Sequence, residues 1–452
     1  MRLRDLLLKI EEEKPGMVVR VSEELSDYDV TCIVRFWRNA PILIFQNVRS
    51  GWSIVVNLCN TRDKLCYYAN VKSVRELYGR LMYACSNPKP GVEVPWRQAS
   101  FSFKCLSGGD VGRLPILKFY PRDPGPYVTS SIIVARNPRD GVLNASVHRM
   151  LYLGDARFSV RIVPRHLWKI YRDAIETLGY LPVLVLIGVH PLVLLASASS
   201  PPYGVYELYS ANTLLGGEME FAHHEKYDIP IPAHVEIVLE GRLLSSENWE
   251  GPFVDALGVY DIRRRQPVLE VEKVWLSKDA VYHTIVPCSD EHLLLMGFYP
   301  EAKIWDNVRR VVPEVKAVNV TKGGCGWLHA IISIRKHCEG DGKNAILAAF
   351  AAHPSLKHVI VVDDDIDVYN LEEVEWAIAT RFQADRDIVV IKGVRGSSMD
   401  PSADTRRLLT SKMGLDATRP LDKPRELFEK VKVELTPKAR RVLELFRVLH
   451  ES

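Results

Sequence analysis

The 452-residue chain predicts an α/β (α+β) protein in three consecutive parts, and three observations lead there. Segments of helical period alternate with short β-branched runs at both ends of the chain. Between them lies a stretch of short alternating strands broken by Gly, Pro, Asn and Asp, the pattern of a barrel-like sheet. No repeat or low-complexity segment competes with that division.

Composition sets the outer bounds. Hydrophobic residues at 47% and charged residues at 25% are ordinary for a globular protein, and the length leaves room for two or three cores. The 59 basic and 56 acidic side chains nearly cancel, which argues against nucleic-acid or membrane electrostatics. Eight cysteines carry no CxxC pair and no Cys/His cluster. They predict reduced thiols in a cytoplasmic protein and no zinc site.

The first part, residues 1–105, opens with Leu3, Leu6, Leu7 and Ile10 on one helical face, interrupted by acids. That is an amphipathic helix and not a signal peptide. Runs at 42–45 and 52–56 predict strands and 73–85 a helix, while Pro88, Pro90, Gly91 and Pro95 make a boundary loop. In the second part, 106–300, strands are expected at 127–135, 160–163, 183–187 and 233–240, with a helix at 166–178. Residues 178–196 are nearly all apolar. Pro182, Gly188, His190, Pro191 and the lack of basic flanks predict a buried strand, a turn and a packed helix start instead of a membrane span.

In the third part, 301–452, strands at 315–320, 330–334 and 358–362 alternate with helices around 343–352 and 371–381, an α/β pattern with a partly parallel sheet. The tail carries Leu427, Phe428 and Val431, then Val442, Leu443, Leu445, Phe446 and Leu449. It predicts one or two amphipathic helices, broken before Pro437, that pack on their own core or a sister subunit.

The chemistry is expected at the EGPFVD run, where Glu250 and Asp255 flank a Gly-Pro-aromatic turn and can face one cavity. Paired, partly desolvated carboxylates repel, so one can keep a proton near neutral pH and serve as a general acid. Arg149, in what reads as a polar turn at 144–149, is a candidate to pair with one of them or to grip a substrate carboxylate. In isolation an acid-Gly-Pro sequence is most often a solvated turn.

Further stretches lie in order around this one: DPGPYVT at 123–129, NAS at 144–146 with Arg149, Arg165-His166, GVHP at 188–191, SSP at 199–201 with Glu207, and IPAHVEIVLEG at 231–241. VVDDDID at 361–367, VEWAIATR at 374–381 and SKMGLDAT at 411–418 follow. Together, over nearly the whole chain, they resemble the UbiD family of decarboxylases, which use prenylated flavin mononucleotide.

That resemblance implies a split-barrel, flavin-binding domain at 106–300 and a C-terminal α/β oligomerisation domain at 301–452. It implies Arg149, Glu250 and Asp255 as the catalytic set, with Glu250 the proton donor. Asn144, His166 and Glu207 fall where the family holds Mn2+ or Mg2+ against the flavin phosphate, and an amide, an imidazole and a carboxylate suit such hard ions. A potassium ion nearby is also implied. Thr129, Ser146, Arg165, Ser199, Ser200, Pro201, Cys288 and Lys336 become flavin neighbours, Lys336 at the phosphate.

The prenylated flavin supplies the electron sink that loss of carbon dioxide from an unsaturated acid demands. A flavin prenyltransferase would provide the cofactor, and the family assembles homodimers or hexamers. Overall likeness favours the archaeal branch, which turns trans-anhydromevalonate 5-phosphate into isopentenyl phosphate in a modified mevalonate pathway. His148 is the candidate contact for the substrate phosphate. The alternatives are an aromatic acid decarboxylase of ubiquinone or menaquinone type and a non-catalytic flavin-binding or assembly protein.

Four other conspicuous groups have plainer readings. The aspartates at 363–367 predict a polar strand end with an N-cap, Arg263 to Arg265 a solvated edge, His223 and His224 a surface loop, and KGGCG at 322–326 a strand-connecting turn without P-loop spacing.

Overall fold

The computed structural model describes residues 1–49, 51–404, 406–431 and 433–448; Leu449 of the tail lies outside them, as does the side chain of Phe446. At its centre is a closed barrel of six antiparallel strands. Around the barrel they run Ile237–Glu250, Tyr180–Ile187, Tyr127–Arg136, Leu143–Gly154, Arg157–Val160 and Arg264–Leu276, and the last pairs back onto the first. Closure leaves these strands no open edge.

Why the strands read as continuous apolar runs follows from burial on both faces. In Tyr180–Ile187, Val183, Val185 and Ile187 join a cluster with Ile133, Met150, Phe158, Leu239 and Leu269, which draws on all six strands. Leu184 and Leu186 point the other way, into a second cluster with Leu192, Leu195 and Leu208. Alternation with both faces buried gives no polar period. The apolar stretch at 178–196 is thus this strand followed by the helix Pro191–Ala198, whose first turn is capped by the His190 ring. Among the described residues no helix is long and apolar enough to cross a membrane.

The helix Leu3–Glu13 buries Leu3, Leu6, Leu7 and Ile10, as their spacing requires. The N-terminal sheet takes its strands Val18–Glu24, Ile42–Asn47 and Ser53–Val56 from the first hundred residues and its fourth, Val281–His283, from the far side of the barrel. The proline-rich segment at 88–95 is likewise woven in, since Val92–Val94 pairs with Glu220–His224. A 19-residue helix, Asp290–Val308, capped by Ser289, runs from the barrel into the C-terminal part, so residues 300 and 301 both lie inside one helix. Beyond it, a mixed five-stranded sheet is ordered Val315–Val320, His329–Ile334, His358–Asp363, Leu409–Ala417, Ile388–Arg395, with parallel pairing at its centre. The helix Pro437–Val448 ends the described chain.

Three local expectations change. Residues 144–149 are not a turn: they lie within the strand Leu143–Gly154, where the ladder to Tyr127–Arg136 overrides their polar composition. Asp363 and Asp365 do not cap a helix. They hold the fully buried Arg381, while Asn370 caps Leu371–Arg381. His223 and His224 lie in the strand Glu220–His224, and His224 is buried against Glu240. Arg263 and Arg265 stack on Trp249, and the KGGCG turn joins two strands as expected.

Candidate active site

Three barrel strands bring the central residues together. Glu250 is the last residue of Ile237–Glu250, Arg149 lies within Leu143–Gly154, and Tyr127 begins Tyr127–Arg136. After Glu250 the chain turns at Gly251, whose φ of +85° favours glycine, and runs into a short hairpin of Phe253–Val254 with Tyr260–Asp261. The acid-Gly-Pro turn is ordered.

Arg149 donates from Nε to Glu250 Oε1 at 2.8 Å and from Nη2 to Oε2 at 2.9 Å. Its Nη2 also reaches Asp261 Oδ2 at 3.2 Å, and the guanidinium lies 4.6 Å above the Phe253 ring. Tyr127 donates its hydroxyl hydrogen to Glu250 Oε1 and accepts from the Gly251 N–H, both at 3.2 Å. Glu250 is fully buried. Burial works against the Arg149 charge, but Glu250 outweighs it and holds the guanidinium above its ordinary pKa. Burial pushes the Tyr127 phenol up as well.

Asp255 stands apart from that pair. Its Oδ1 accepts from the Ala256 N–H at 2.6 Å. The Ala256 carbonyl in turn receives the Cys288 thiol at 3.4 Å, and the Cys288 N–H donates to His292 Nδ1 at 2.9 Å. A two-point guanidinium contact favours an ionised carboxylate. The structure thus clamps Glu250, the expected proton donor, in a two-point pair with Arg149 and leaves Asp255 outside that pair. Asp123, at the head of the DPGPY run, is a further buried acid; burial raises it to about 6 and leaves its Oδ1 without a partner.

A second cluster lies along the same barrel wall. Asn144 Nδ2 and the Ala145 N–H each donate to Glu207 at 2.8 Å, and Ser146 Oγ lies 3.0 Å from Asn144 Oδ1. Burial lifts the Glu207 carboxyl to about 8, and among the described residues no cationic side chain pairs with it. A desolvated carboxylate beside an amide, lacking a countercharge, fits a divalent cation. His166, the third expected ligand, begins the helix His166–Leu178 and sets its ring edge-on against Tyr203.

Arg165 donates to Ser200 Oγ at 3.1 Å and faces the Trp327 ring at 5.7 Å, across from the C-terminal part. An exposed guanidinium without a carboxylate among the described residues fits a phosphate. Thr129 Oγ1 shares a hydrogen bond with Thr284 Oγ1 and accepts from Ile285 N, both at 3.0 Å, and buried Ser199 donates to the Leu195 carbonyl. Pro201 is buried beside them in sequence, and Cys288 is buried with a φ of +59°.

Two expected contacts are not brought to the site. Lys336 donates to the Arg419 carbonyl at 2.9 Å and pairs with Glu339 at 2.6 Å within the C-terminal part. Both ring nitrogens of His148 are engaged, by Ser146 and the Arg161 carbonyl, and burial lowers it to about 4. It is a neutral strut and not a phosphate contact. Sequence reasoning missed Tyr127 as a partner of Glu250, and Asp261. The pairing of Phe253 with Asp261 delivers the latter to Arg149, and no local motif announces it.

Comparison with known proteins agrees with this arrangement. The 3-octaprenyl-4-hydroxybenzoate carboxy-lyase family matches through its N-terminal domain at residues 11–81, its Rift-related domain at 94–290 and its C-terminal domain at 293–417. The anhydromevalonate phosphate decarboxylase of Methanothermobacter thermautotrophicus is 44% identical over 93% of this chain and 97% of its own. That of Aeropyrum pernix is 44% identical over 93% and 94%. Among solved structures, the UbiD-class enzyme HmfF from Pelotomaculum thermopropionicum in complex with FMN superposes with a TM-score of 0.91 at 38% identity, covering 96% of this chain and 98% of that one. An evolved dimeric form of HmfF in complex with prFMN gives 0.87 at 37% identity over 96% and 97%. Matched by three domains between residues 11 and 417 and 44% identical to an archaeal relative over 93% of its length, the chain belongs to the UbiD family of carboxy-lyases.

Proposed function

We propose that this decarboxylase converts trans-anhydromevalonate 5-phosphate to isopentenyl phosphate and carbon dioxide, with prenylated FMN as cofactor and Mn2+ or Mg2+ at its phosphate. The observation that carries the substrate is a group of five archaeal relatives, 39–44% identical over at least 90% of this chain, each named anhydromevalonate phosphate decarboxylase. Support for the cofactor comes from the FMN and prFMN complexes of HmfF.

Losing carbon dioxide from an unsaturated acid leaves an electron pair on a vinylic carbon, and the prenylated flavin, when bound, supplies the sink for it. The protein's own residues do the rest. Arg149 keeps a permanent positive charge at the site because Glu250 and Asp261 hold it from two sides. Tyr127 fixes the Glu250 carboxylate from a third direction, so the pair need not reorganise during turnover. Asp255, outside that pair, returns the proton that replaces the lost carboxyl group. Asn144, His166 and Glu207 would hold the divalent ion. Arg165, Ser200, Thr129, Ser146, Ser199, Pro201 and Cys288 would line the flavin, with a potassium ion nearby.

The protein works in the cytoplasm as a homodimer or hexamer and receives its cofactor from a flavin prenyltransferase; eight free thiols agree with a reducing compartment. The test is to co-express the chain with such an enzyme and offer trans-anhydromevalonate 5-phosphate beside a panel of aromatic acids. Carbon dioxide from the phosphorylated enoate, with isopentenyl phosphate as product, is the expected result. Release from an aromatic acid alone would replace the substrate.

A further inference from the structure

The helix Asp27–Phe36 is pinned at both ends. At its start Asp27 accepts from the Lys118 N–H at 3.0 Å and pairs with Arg49 at 2.7 Å. Just past its end, Arg38 donates to Asp290 Oδ1 at 2.8 Å. Val30 and Val34 bury its inner face in the cluster that holds Tyr127 and Val286. The segment it spans carries Tyr120, hydrogen-bonded to the Pro287 carbonyl at 3.0 Å, and Cys288, whose thiol touches the residue after Asp255.

Arg35 occupies the last turn of that helix, half-buried, with its guanidinium against the Cys288 thiol. Among the described residues it has no carboxylate partner. Its surroundings are already rich in positive charge, since Asp290, itself buried, receives both Arg38 and Lys322, the latter at 3.0 Å. Two cations thus meet one carboxylate, and one of them, Arg38, follows Arg35 by three residues. A guanidinium that has lost part of its hydration without gaining a countercharge is poised for an anion from outside.

We infer that Arg35 grips the distal anion of the substrate, a phosphate monoester, while the reacting end lies between Arg149 and Asp255. This rests on the phosphorylated substrate proposed above. Arg38 and Lys322, tied to Asp290, raise the potential that draws the dianion in; the planar fork of Arg35 makes the direct contact. Phe253 lies under Arg149 and Ala256 against Cys288, so the two grips flank Asp255 along the chain.

The test compares the wild-type holoenzyme with Arg35→Gln and Arg35→Lys on trans-anhydromevalonate 5-phosphate and on the same acid without its phosphate. Arg35→Gln should lower the ratio of kcat/KM between the two acids by about 10- to 100-fold, mainly through KM, with Arg35→Lys intermediate. Calorimetric binding of isopentenyl phosphate should weaken in the same order, with flavin content retained. A ratio and a product affinity equal to wild type in both variants would overturn the proposal and leave the substrate reading intact. If Arg35→Gln does not fold, Arg35→Lys decides alone, because it keeps the charge and loses the fork. A wild-type enzyme that ignores the phosphate, or accepts aromatic acids only, would remove both readings.

Discussion

Arg149 and Glu250, 101 residues apart, form a buried two-point ion pair, and Asp255, five residues beyond Glu250, stays outside it. Two acids that look equivalent in a six-residue motif have different surroundings because one is clamped by a guanidinium.

That difference can be measured. Glu250→Gln removes the charge that balances a buried arginine, so both turnover and stability should fall: carbon dioxide release by roughly 100-fold or more, and the folded state by about 3 kcal/mol. Asp255→Asn should lose turnover as severely while its melting temperature stays near wild type. Flavin should remain bound in both. An Asp255→Asn enzyme with full activity would mean that the proton comes from elsewhere.

Among the described residues Glu207 has no cationic partner. Glu207→Ala and His166→Ala should therefore lose divalent metal and flavin before they lose fold. Metal and flavin per protomer after gel filtration should drop together, and chelation of the wild-type protein should release flavin in the same way. A metal-free protein with full flavin would remove the proposed ligand role.

Arg381 is fully buried between Asp363 and Asp365, with the Phe428 carbonyl as a further acceptor. Arg381→Ala leaves buried Asp363 with Arg419 alone, at a cost on the order of 3 kcal/mol. The C-terminal part should melt roughly 10 °C lower, while the flavin spectrum of the barrel is preserved at moderate temperature.

Glu240 supplies a pH dependence. Burial opposes its charge, but hydrogen bonds from His224, Lys273 and Trp275 outweigh burial and bring the carboxyl down to about 2. A folded-state pKa below the unfolded value stabilises the fold fully above the ordinary carboxylate range, and that contribution fades as pH falls from about 4.5 toward 2. Urea midpoints between pH 6 and pH 3 should fall more steeply in wild type than in Glu240→Gln. Equal slopes would discard the assignment.

Much of this was legible in residue order. Leu3, Leu6, Leu7 and Ile10 declare their helix because period 3.6 is a local property. The apolar stretch at 178–196 declares a strand and a helix because Pro182, Gly188 and Pro191 rule out one long span. The UbiD motifs could be read in sequence because their order along the chain is itself the signal. What the chain alone determined was the mixed α/β fold class and the family, with the expectation that the chemistry gathers at Arg149, Glu250 and Asp255.

Pairing across strands decided the rest. Residues 144–149 read as a turn by composition and became a strand because the ladder to Tyr127–Arg136 requires it. Lys336 and His148 read as anion contacts and turned out to be engaged by Arg419, Glu339, Ser146 and Arg161. Asp261 reaches Arg149 only through the hairpin that pairs it with Phe253. Which acid is clamped and which is free depends on distances between side chains a hundred residues apart. Coulomb and hydrogen-bond energies depend on those distances in space, and local sequence does not encode them.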